Sequence, residues 1–324
     1  MLFKRYHGTI RVMETLKVVF CFDENLVTQV QTAAASLLDS RSPGDHFEIH
    51  CVCTKTAENV QEPLEQIIKR RDSNSALVMH CTKNPYEDAY EVRGISSGAY
   101  LRLLLHLLLS GVEKVLYLDV DILVRESLSP IWHMGLERNL LAAVKGPVNL
   151  QEKWEWNSSR SYWKLLDGAR GGYINSGVLL MNLEEIRRRQ LDEQWERLAE
   201  QKLYYQDQDI LNITCQGAIA YLPPKYNRLA YLEDKDFGQF VTEGIYTREE
   251  EREALRSPAV IHYAGDKPWK RYDTNLGSLW WDYVNAQPDL KDLFDEEKAR
   301  RYHGPTLGQR AVRKVKKLFG GEKL

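Results

Sequence analysis

The chain has 324 residues, of which 43% are hydrophobic and 28% are charged, and its formal net charge at pH 7 is -2. This composition is typical of a soluble globular protein, and the length allows one large domain or two small ones. A charge so close to zero gives no argument for binding to nucleic acid, and we expect no nucleic-acid partner.

The cysteines and the N-terminus indicate a cytoplasmic protein. We predict small buried thiols in a reducing compartment for the five cysteines, which are Cys21, Cys51, Cys53, Cys81 and Cys215. Residues 1–14 are interrupted by Lys4, Arg5, His7 and Arg11, which argues against a secretory signal. The apolar run at 101–109 is too short to span a bilayer.

The first part of the chain alternates between predicted strands and predicted helices. Apolar runs predict strands at 16–22, 47–53 and 76–80, and helical spacing predicts helices at 26–38 and 59–71. This order predicts a parallel sheet with helices on both faces, so the fold class is α/β.

The rest of the chain continues the same alternation less regularly. We predict helices at 96–110, 183–203 and 207–215, a short helix or turn from Ser129, and strands at 115–124, 140–144, 173–182, 218–222 and 260–264. Residues 151–172 are rich in Trp, Tyr and Gly and are expected to form a loop region beside the functional site that the motifs below predict.

The predicted strand at 115–124 contains two aspartates, Asp119 and Asp121. Side chains alternate along a strand, so both carboxylates would point the same way if the strand continued through them. Burying two like charges without a positive partner costs much free energy. A divalent cation at the strand end would supply the positive charge, since carboxylate oxygens suit Mg²⁺, Mn²⁺ or Ca²⁺. The alternative is a strand that ends in a solvated turn.

A second informative stretch begins at His262. An imidazole is a common ligand beside two carboxylates, so His262 could complete a cation site, although a histidine in a strand is otherwise a hydrogen-bonded core residue. Gly265 would allow close approach of the backbone to an anion, and Lys267 offers a point charge for phosphate. Because ligands bind beyond the carboxyl ends of strands in open α/β sheets, these groups predict one shared metal–diphosphate site.

These motifs resemble the retaining glycosyltransferases of family 8, over about residues 16–275. The elements that carry the resemblance, in chain order, are 20–25, 100–103, the DxD motif at 117–121, 173–182, 205–212 and 262–269. The last of them is one residue shorter between Gly265 and Lys267 than the family's pattern, which makes the Lys267 contact less well supported than the His262 contact.

The resemblance implies a GT-A fold, which has a Rossmann-like, mostly parallel central sheet flanked by helices. It also implies a UDP-hexose donor, Mn²⁺ (or Mg²⁺) held by Asp119, Asp121 and His262, and an α-linked product. The residues implied around the nucleotide sugar are Cys21, Phe22, Asp23, Asn25, Arg102, Asp119, Val120, Asp121, Asn175, Ser176, His262, Gly265 and Lys267.

The resemblance further implies that Asn175, Asp207 and Gln208 face the transferred sugar. Retention of configuration could proceed by same-face attack, in which Gln208 is a positioning residue. It could also proceed through a covalent intermediate, for which Asp209 is the nearby carboxylate. Asp207 and Asp209 could instead cap the start of a helix.

The composition changes after residue 275, so we predict a catalytic domain at 1–275 and a helical, aromatic and basic extension at 276–324. Residues 307–318 place apolar side chains on one helical face and basic side chains on much of the rest. Such a helix is typical of attachment to an anionic membrane surface, here the inner face, and equally of a solvated terminal helix.

The sequence therefore predicts a hexosyltransferase that uses UDP-glucose or UDP-galactose and acts on a glycan or lipid-linked glycan, such as a lipopolysaccharide core. One alternative is a non-catalytic nucleotide-sugar or glycan-binding module on the same fold. Another is a self-glucosylating protein like glycogenin. A nucleotidyltransferase would need a Gly-rich loop after the first strand, where this chain has Asp23-Glu24-Asn25.

Overall fold

The structure, a computed structural model, describes residues 14–54, 60–91, 96–146, 164, 166–232, 246–271 and 273–294. The predicted loop at 151–172 therefore lies mostly outside the described residues. The predicted basic helix at 307–318 lies wholly outside them.

Within the described residues, ten strands form two sheets. The strands are β1 (Glu14–Phe22), β2 (Asp45–Cys53), β3 (Ala76–Cys81), β4 (Lys114–Leu118), β5 (Ile122–Val124), β6 (Leu141–Lys145), β7 (Ile174–Asn182), β8 (Ile219–Tyr221), β9 (Arg228–Leu229) and β10 (Val260–His262). The larger sheet has the order β3-β2-β1-β4-β7-β6-β8, and the smaller one has the order β5-β10-β9.

The helices lie between these strands. The α-helices span Val27–Asp39, Gln61–Arg71, Leu105–Leu108, Ser129–Trp132, Leu183–Arg189, Asp192–Ala199, Gln206–Thr214, Arg248–Arg256, Gly277–Ala286 and Pro288–Lys291. Shorter 3-10 helices span Glu24–Leu26, Ser97–Leu104, Asp167–Gly172 and Pro224–Asn227.

The larger sheet is mostly parallel, as predicted. β1 pairs in parallel with β2 and β4, and β2 pairs in parallel with β3. β7 runs antiparallel to both β4 and β6. Because β7 is antiparallel, its first residues lie beside the carboxyl end of β4, and the Asp119 amide donates to the Gly177 carbonyl at 2.8 Å. The polar start of β7 and the polar end of β4 therefore share one edge.

Each face of the larger sheet carries its own hydrophobic core, which explains the uninterrupted apolar runs of its strands. Phe20 and Leu118 pack on one face with the helices at 27–39 and 61–71. Val19 and Tyr117 pack on the other face with helical residues from 100–105, 183–199 and 210–215. Alternation along β1 and β4 thus serves two buried surfaces.

The prediction of one strand over 115–124 is wrong. β4 ends at Leu118, β5 begins at Ile122, and the two strands belong to different sheets. Asp119 and Asp121 therefore lie on the segment that crosses from one sheet to the other. Val120 between them is buried in the core, so the apolar pattern continues through the crossing without a break.

The prediction of one helix over 183–203 is also wrong. The helix that begins at Leu183 ends at Arg189, and a second one begins at Asp192. Gln190 lies between them with φ 52, in the left-handed region that ends helices. The predicted helix at 96–110 is mainly a 3-10 helix, and only Leu105–Leu108 is α-helical.

Four of the five cysteines are buried, as predicted, but Cys81 is exposed. Cys81 lies on β3, which is the last strand at one edge of the larger sheet. The apolar run that contains it is therefore covered less completely than those of the central strands.

The described part of the predicted C-terminal extension packs against the smaller sheet. Trp280, Trp281 and Val284 form one buried cluster with Ile261 and Tyr263. The Trp281 indole Nε1 donates to the Pro268 carbonyl at 3.0 Å. The boundary at residue 275 stays a prediction. None of the helices in the described part of the chain combines the length and hydropathy needed to cross a bilayer.

Candidate functional site

The ends of β4 and β10 bring three possible metal ligands together. Asp119, Asp121 and His262 each offer one ligand atom, and these atoms lie within 4.8 Å of one another. The His262 nitrogen Nε2 lies 3.4 Å from Asp119 Oδ2 and 3.3 Å from Asp121 Oδ1. Two carboxylate oxygens and one imidazole nitrogen fit a divalent cation, and the pair of carboxylates supplies the negative charge that it needs.

Arg102 and Tyr117 orient the Asp119 side chain through hydrogen bonds to one of its carboxylate oxygens. Asp119 Oδ1 accepts from the Arg102 guanidinium at 3.0 Å and from the Tyr117 hydroxyl at 2.5 Å. The guanidinium carbon of Arg102 also lies 4.4 Å from the centre of the Tyr117 ring. With Oδ1 engaged in this way, Oδ2 is directed toward His262.

Arg102 also reaches two other parts of the site. Its side chain is 6% exposed, its Nε pairs with Asp207 Oδ2 at 2.9 Å, and its Nη1 donates to the Ser176 carbonyl at 2.7 Å. Burial acts to lower the pKa of Arg102, but Asp119 and Asp207 outweigh it and raise the pKa. The Arg102 guanidinium therefore links the end of β4, β7 and the helix at 206–214.

Lys267 pairs with the second carboxylate. Its ammonium donates to Asp121 and to the Tyr263 carbonyl, which lies 2.7 Å away. Burial acts to raise the pKa of Asp121, but Lys267 and His262 outweigh it and hold the pKa well below its usual range. Asp121 is thus an ionised carboxylate, as a metal ligand has to be.

Gly177 is a glycine because the side chains of His262 and Asp119 pass over it. A Cβ at this position would lie 2.1 Å from Cε1 of His262 and 2.9 Å from Oδ2 of Asp119. Real Cβ atoms essentially never approach other atoms so closely. The sequence motif at 173–182 therefore contains a close approach that only glycine permits.

Asn175 and Ser176 lie next to Gly177, on the strand beside the carboxylates. Asn175 Nδ2 donates to Gln208 Oε1 at 3.0 Å, and the Ser176 amide donates to the same oxygen at 3.1 Å. The Gln208 Nε2 donates to the Tyr173 hydroxyl at 3.0 Å. One end of the Gln208 amide is held by the start of β7 and the other by Tyr173 just before it, so its orientation is fixed.

The two aspartates beside Gln208 have structural partners. Asp209 is fully buried, and its Oδ1 accepts from the Tyr173 hydroxyl at 2.5 Å while Oδ2 accepts from the Tyr205 amide at 2.8 Å. Burial raises the pKa of Asp207 to about 6, although Arg102 opposes this. Asp209 thus contacts Tyr173 and the residue just before its own helix, whereas Asp207 belongs to the Arg102 network.

The predicted nucleoside-binding residues on and after β1 differ in exposure. The side chains of Cys21 and Phe22 lie in the two cores, and burial raises the pKa of the Cys21 thiol. Asp23 Oδ1 accepts from the Asn25 amide at 2.9 Å, and Oδ2 accepts from the Ser96 hydroxyl at 2.6 Å. Asn25 itself is exposed at the edge of the sheet. The structure thus places Asp23 as a residue that shapes the loop and leaves Asn25 accessible.

Gly265 borders the site on the side of the smaller sheet. A Cβ there would meet the Tyr231 side chain at 3.3 Å. Gly265 is exposed, and Lys267 follows it two residues later. The exposed Gly265 and the cationic Lys267 thus lie on one short loop after β10.

Sequence reasoning missed Asn227, which is buried and contacts His262 Nδ1 at 2.9 Å. It lies at the end of the 3-10 helix Pro224–Asn227, in a segment with no apolar periodicity. Sequence reasoning also missed Tyr117 and Tyr173 as hydrogen-bond partners in the site. Tyrosines inside apolar runs were the available signal, since a buried hydroxyl needs a partner.

The family model of glycosyl transferase family 8 matches residues 17–273, which include all of the residues of the site. The chain belongs to glycosyl transferase family 8. This confirms the resemblance that the six motifs predicted, and as a family member the protein is a glycosyltransferase.

Two curated relatives illustrate the range of the family. General stress protein A of Bacillus subtilis (strain 168) is 24% identical over 268 residues, which cover 80% of this chain and 89% of that protein. The lipopolysaccharide 1,2-glucosyltransferase of Escherichia coli (strain K12) is 31% identical over 189 residues, which cover 55% of this chain and 50% of that protein. The matched part thus spans about half the length of the second relative.

Solved structures of glycosyltransferases share the fold. The galactosyltransferase LgtC, crystallised with donor and acceptor sugar analogues, has a TM-score of 0.69 and 26% identity, covering 84% of this chain and 96% of that one. The bifunctional glycosyltransferase WbbM has a TM-score of 0.70 at 20% identity, covering 86% of this chain and 51% of that one. The predicted GT-A fold is thereby confirmed.

Proposed function

We propose that this family 8 enzyme is a metal-dependent, retaining hexosyltransferase that moves glucose or galactose from a UDP-sugar to a glycan acceptor. The observation that carries the proposal is the convergence of Asp119, Asp121 and His262 at the strand ends. A divalent cation, Mn²⁺ or Mg²⁺, bound there would supply positive charge to the diphosphate that leaves.

The contacts of the site support a division of labour among its residues. Asp119, Asp121 and His262 hold the cation, and Arg102 and Tyr117 keep Asp119 oriented toward it. Lys267 lies beside Asp121 and can offer its ammonium to phosphate. Asp23, Asn25 and the backbone of Cys21 and Phe22 line the nucleoside side, where the resemblance places them.

The sugar side is formed by Asn175, Ser176, Asp207 and Gln208. Their hydrogen bonds to one another give a rigid wall, which favours precise placement of a hexose. Both carboxylate oxygens of Asp209 are occupied by Tyr173 and Tyr205. This supports same-face attack, in which the departing phosphate accepts the acceptor's proton, over attack by Asp209.

The acceptor that we propose is a lipid-linked surface glycan such as a lipopolysaccharide core. The similarity to a lipopolysaccharide glucosyltransferase supports this class of acceptor. Residues 307–318 would attach the enzyme to the inner membrane face through their basic, amphipathic sequence. That attachment rests on sequence pattern alone and predicts that removal of 305–324 releases the protein from anionic vesicles.

The proposed activity is tested with a panel of UDP-sugars, UDP release being measured with Mn²⁺, with Mg²⁺ and after chelation by EDTA. We expect release from UDP-glucose or UDP-galactose that EDTA abolishes and added metal restores. NMR of the released hexose, recorded before its anomers equilibrate, should show the α anomer. Release that is indifferent to EDTA would contradict the metal site, and a β product would contradict retention.

A further inference from the structure

His262 can bind a cation through Nε2 only if that nitrogen has a free lone pair. In a neutral imidazole one nitrogen carries a hydrogen and the other does not, so the partner of Nδ1 decides which tautomer is present. His262 is 2% exposed, and its Nδ1 lies 2.9 Å from Oδ1 of Asn227. The tautomer of His262 therefore depends on which end of the Asn227 amide faces the imidazole ring.

The orientation of Asn227 follows from its other contact. Its Nδ2 donates to Asn175 Oδ1 at 2.7 Å, and the same oxygen accepts from the backbone amide of Gly177 at 3.0 Å. A backbone N–H can only donate, so Asn175 must present its oxygen to Gly177 and hence to Asn227. A flipped Asn227 would place two oxygens against each other.

A second backbone amide fixes the other end of Asn175. Asn175 Nδ2 donates to Gln208 Oε1, which also accepts from the Ser176 amide at 3.1 Å. The direction of every hydrogen bond from Gln208 through Asn175 to Asn227 is thus set by two main-chain donors of β7. No other assignment of the three amides satisfies both of them.

We infer that Asn227 is a positioning residue that fixes the metal-binding tautomer of His262. With Asn227 Oδ1 as acceptor, Nδ1 carries the hydrogen and the Nε2 lone pair is directed at Asp119 and Asp121. Histidine ligands in metal sites commonly donate their second N–H to such a partner, and loss of that partner weakens metal binding. The inference deepens the proposed function, on which it rests, because it requires that the site binds a cation.

Two substitutions separate this role from a purely structural one. Asn227→Asp and Asn227→Leu both remove the donor to Asn175, and the Asp variant also adds a negative charge and sets an oxygen against Asn175 Oδ1. The Asp variant keeps an oxygen acceptor for Nδ1, whereas the Leu variant, of similar size, has none. Mn²⁺ binding that is kept in the Asp variant and weakened in the Leu variant would therefore indicate that His262 needs an acceptor facing Nδ1.

The measurement is the dissociation constant of Mn²⁺ for the full chain, determined by electron paramagnetic resonance of free Mn²⁺. We expect Asn227→Leu to bind Mn²⁺ about 10- to 100-fold more weakly than the wild type, and Asn227→Asp to stay within about threefold of it. If the Leu variant does not fold, Asn227→Ser replaces it. The serine hydroxyl is one atom closer to the main chain and therefore does not reach Nδ1 of His262.

Equal affinities for wild type and Asn227→Leu would overturn the inference while leaving the metal site intact. Equal weakening in the Asp and Leu variants would also overturn it, since only the link to Asn175 would then matter. A wild type that binds no Mn²⁺ would instead contradict the proposed function itself, and the inference with it.

Discussion

At the scale of single residues, the site depends on a few close approaches that tolerate no added atoms. A Cβ at Gly177 would lie closer than van der Waals contact to the His262 and Asp119 side chains. The His262 ring and the Asp119 carboxylate are themselves held by Asn227 and by Arg102, so neither can move away freely. Steric precision and hydrogen bonding thus act on the same pair of side chains.

Gly177→Ala should therefore impair the site without unfolding the protein. We expect the new methyl group to displace His262 from Asp119 and to weaken Mn²⁺ binding at least about 10-fold, as changes around metal ligands do. Gly111→Ala is the matched control, because a Cβ at Gly111 has no atom within 4 Å. Unchanged Mn²⁺ affinity in Gly177→Ala would show that the site is looser than its geometry indicates.

Tyr173 illustrates a buried hydroxyl that satisfies two partners at once. It donates to Asp209 and accepts from Gln208, and its side chain is fully buried. Tyr173→Phe should lower the free energy of unfolding by about 1–3 kcal/mol, because buried polar atoms are left unpaired. Chemical denaturation checks this value.

Tyr283→Phe provides the comparison for Tyr173→Phe. The Tyr283 hydroxyl donates to the exposed Asp39 at 2.7 Å, so water can replace it after substitution. We expect a smaller loss than for Tyr173→Phe. A larger loss at Tyr283 would mean that burial does not control the cost of losing these hydroxyls.

The sequence indicated Asp119, Asp121 and His262 as candidate metal ligands because their chemistry is conspicuous. Two carboxylates inside an apolar run, and a histidine followed by glycine and lysine, are costly unless they share a partner. Asn227 could not be found in this way, because an asparagine in a short loop is ordinary in any protein. Its importance comes from a contact with Asn175, which is 52 positions away in the chain.

At the scale of secondary structure, the predictions failed where the chain turns without losing its apolar pattern. Val120 is 5% exposed, so the crossing between the two sheets looks like the interior of a strand. Gln190 likewise stands in a charged stretch with no glycine or proline to mark a helix end. Local patterns record burial well, but they do not record a change of sheet or a left-handed residue.

Gln190 offers a direct test of the break between the two helices. Because its φ is 52, Gln190→Gly should stabilise the protein by up to about 1 kcal/mol by relieving the left-handed conformation. Gln190→Ala is the control and should give no such gain. A continuous helix through this position would give the reverse order, with Gly about 1 kcal/mol less stable than Ala.

At the scale of the whole molecule, the smaller sheet joins the candidate site to the described C-terminal helices. β10 supplies His262 at its end and packs on Trp280 and Trp281 through Ile261. The Trp281 indole also holds the Pro268 carbonyl, next to Lys267. The helix at 277–286 therefore supports the loop that carries Lys267.

Trp281→Ala should consequently destabilise the molecule by about 3–5 kcal/mol, as other buried Trp truncations do. We expect a single cooperative thermal transition at a lower temperature. Leu293→Ala is the control in the same segment, because Leu293 is 36% exposed, and it should cost much less. An early separate transition in Trp281→Ala would instead favour an independent extension after residue 275.

The proposed function requires that Asp119, Asp121 and His262 together hold a cation that would assist cleavage of a UDP-sugar. It is tested most directly by UDP release with Mn²⁺ in the wild type and in Asp121→Asn, with Asp282→Asn as an exposed control. We predict that Asp121→Asn loses at least about 100-fold in rate, since metal stabilisation of the leaving group is worth several kcal/mol. The control should keep the wild-type rate. Undiminished, Mn²⁺-dependent release of UDP in Asp121→Asn would contradict the proposed role of Asp121 as a metal ligand.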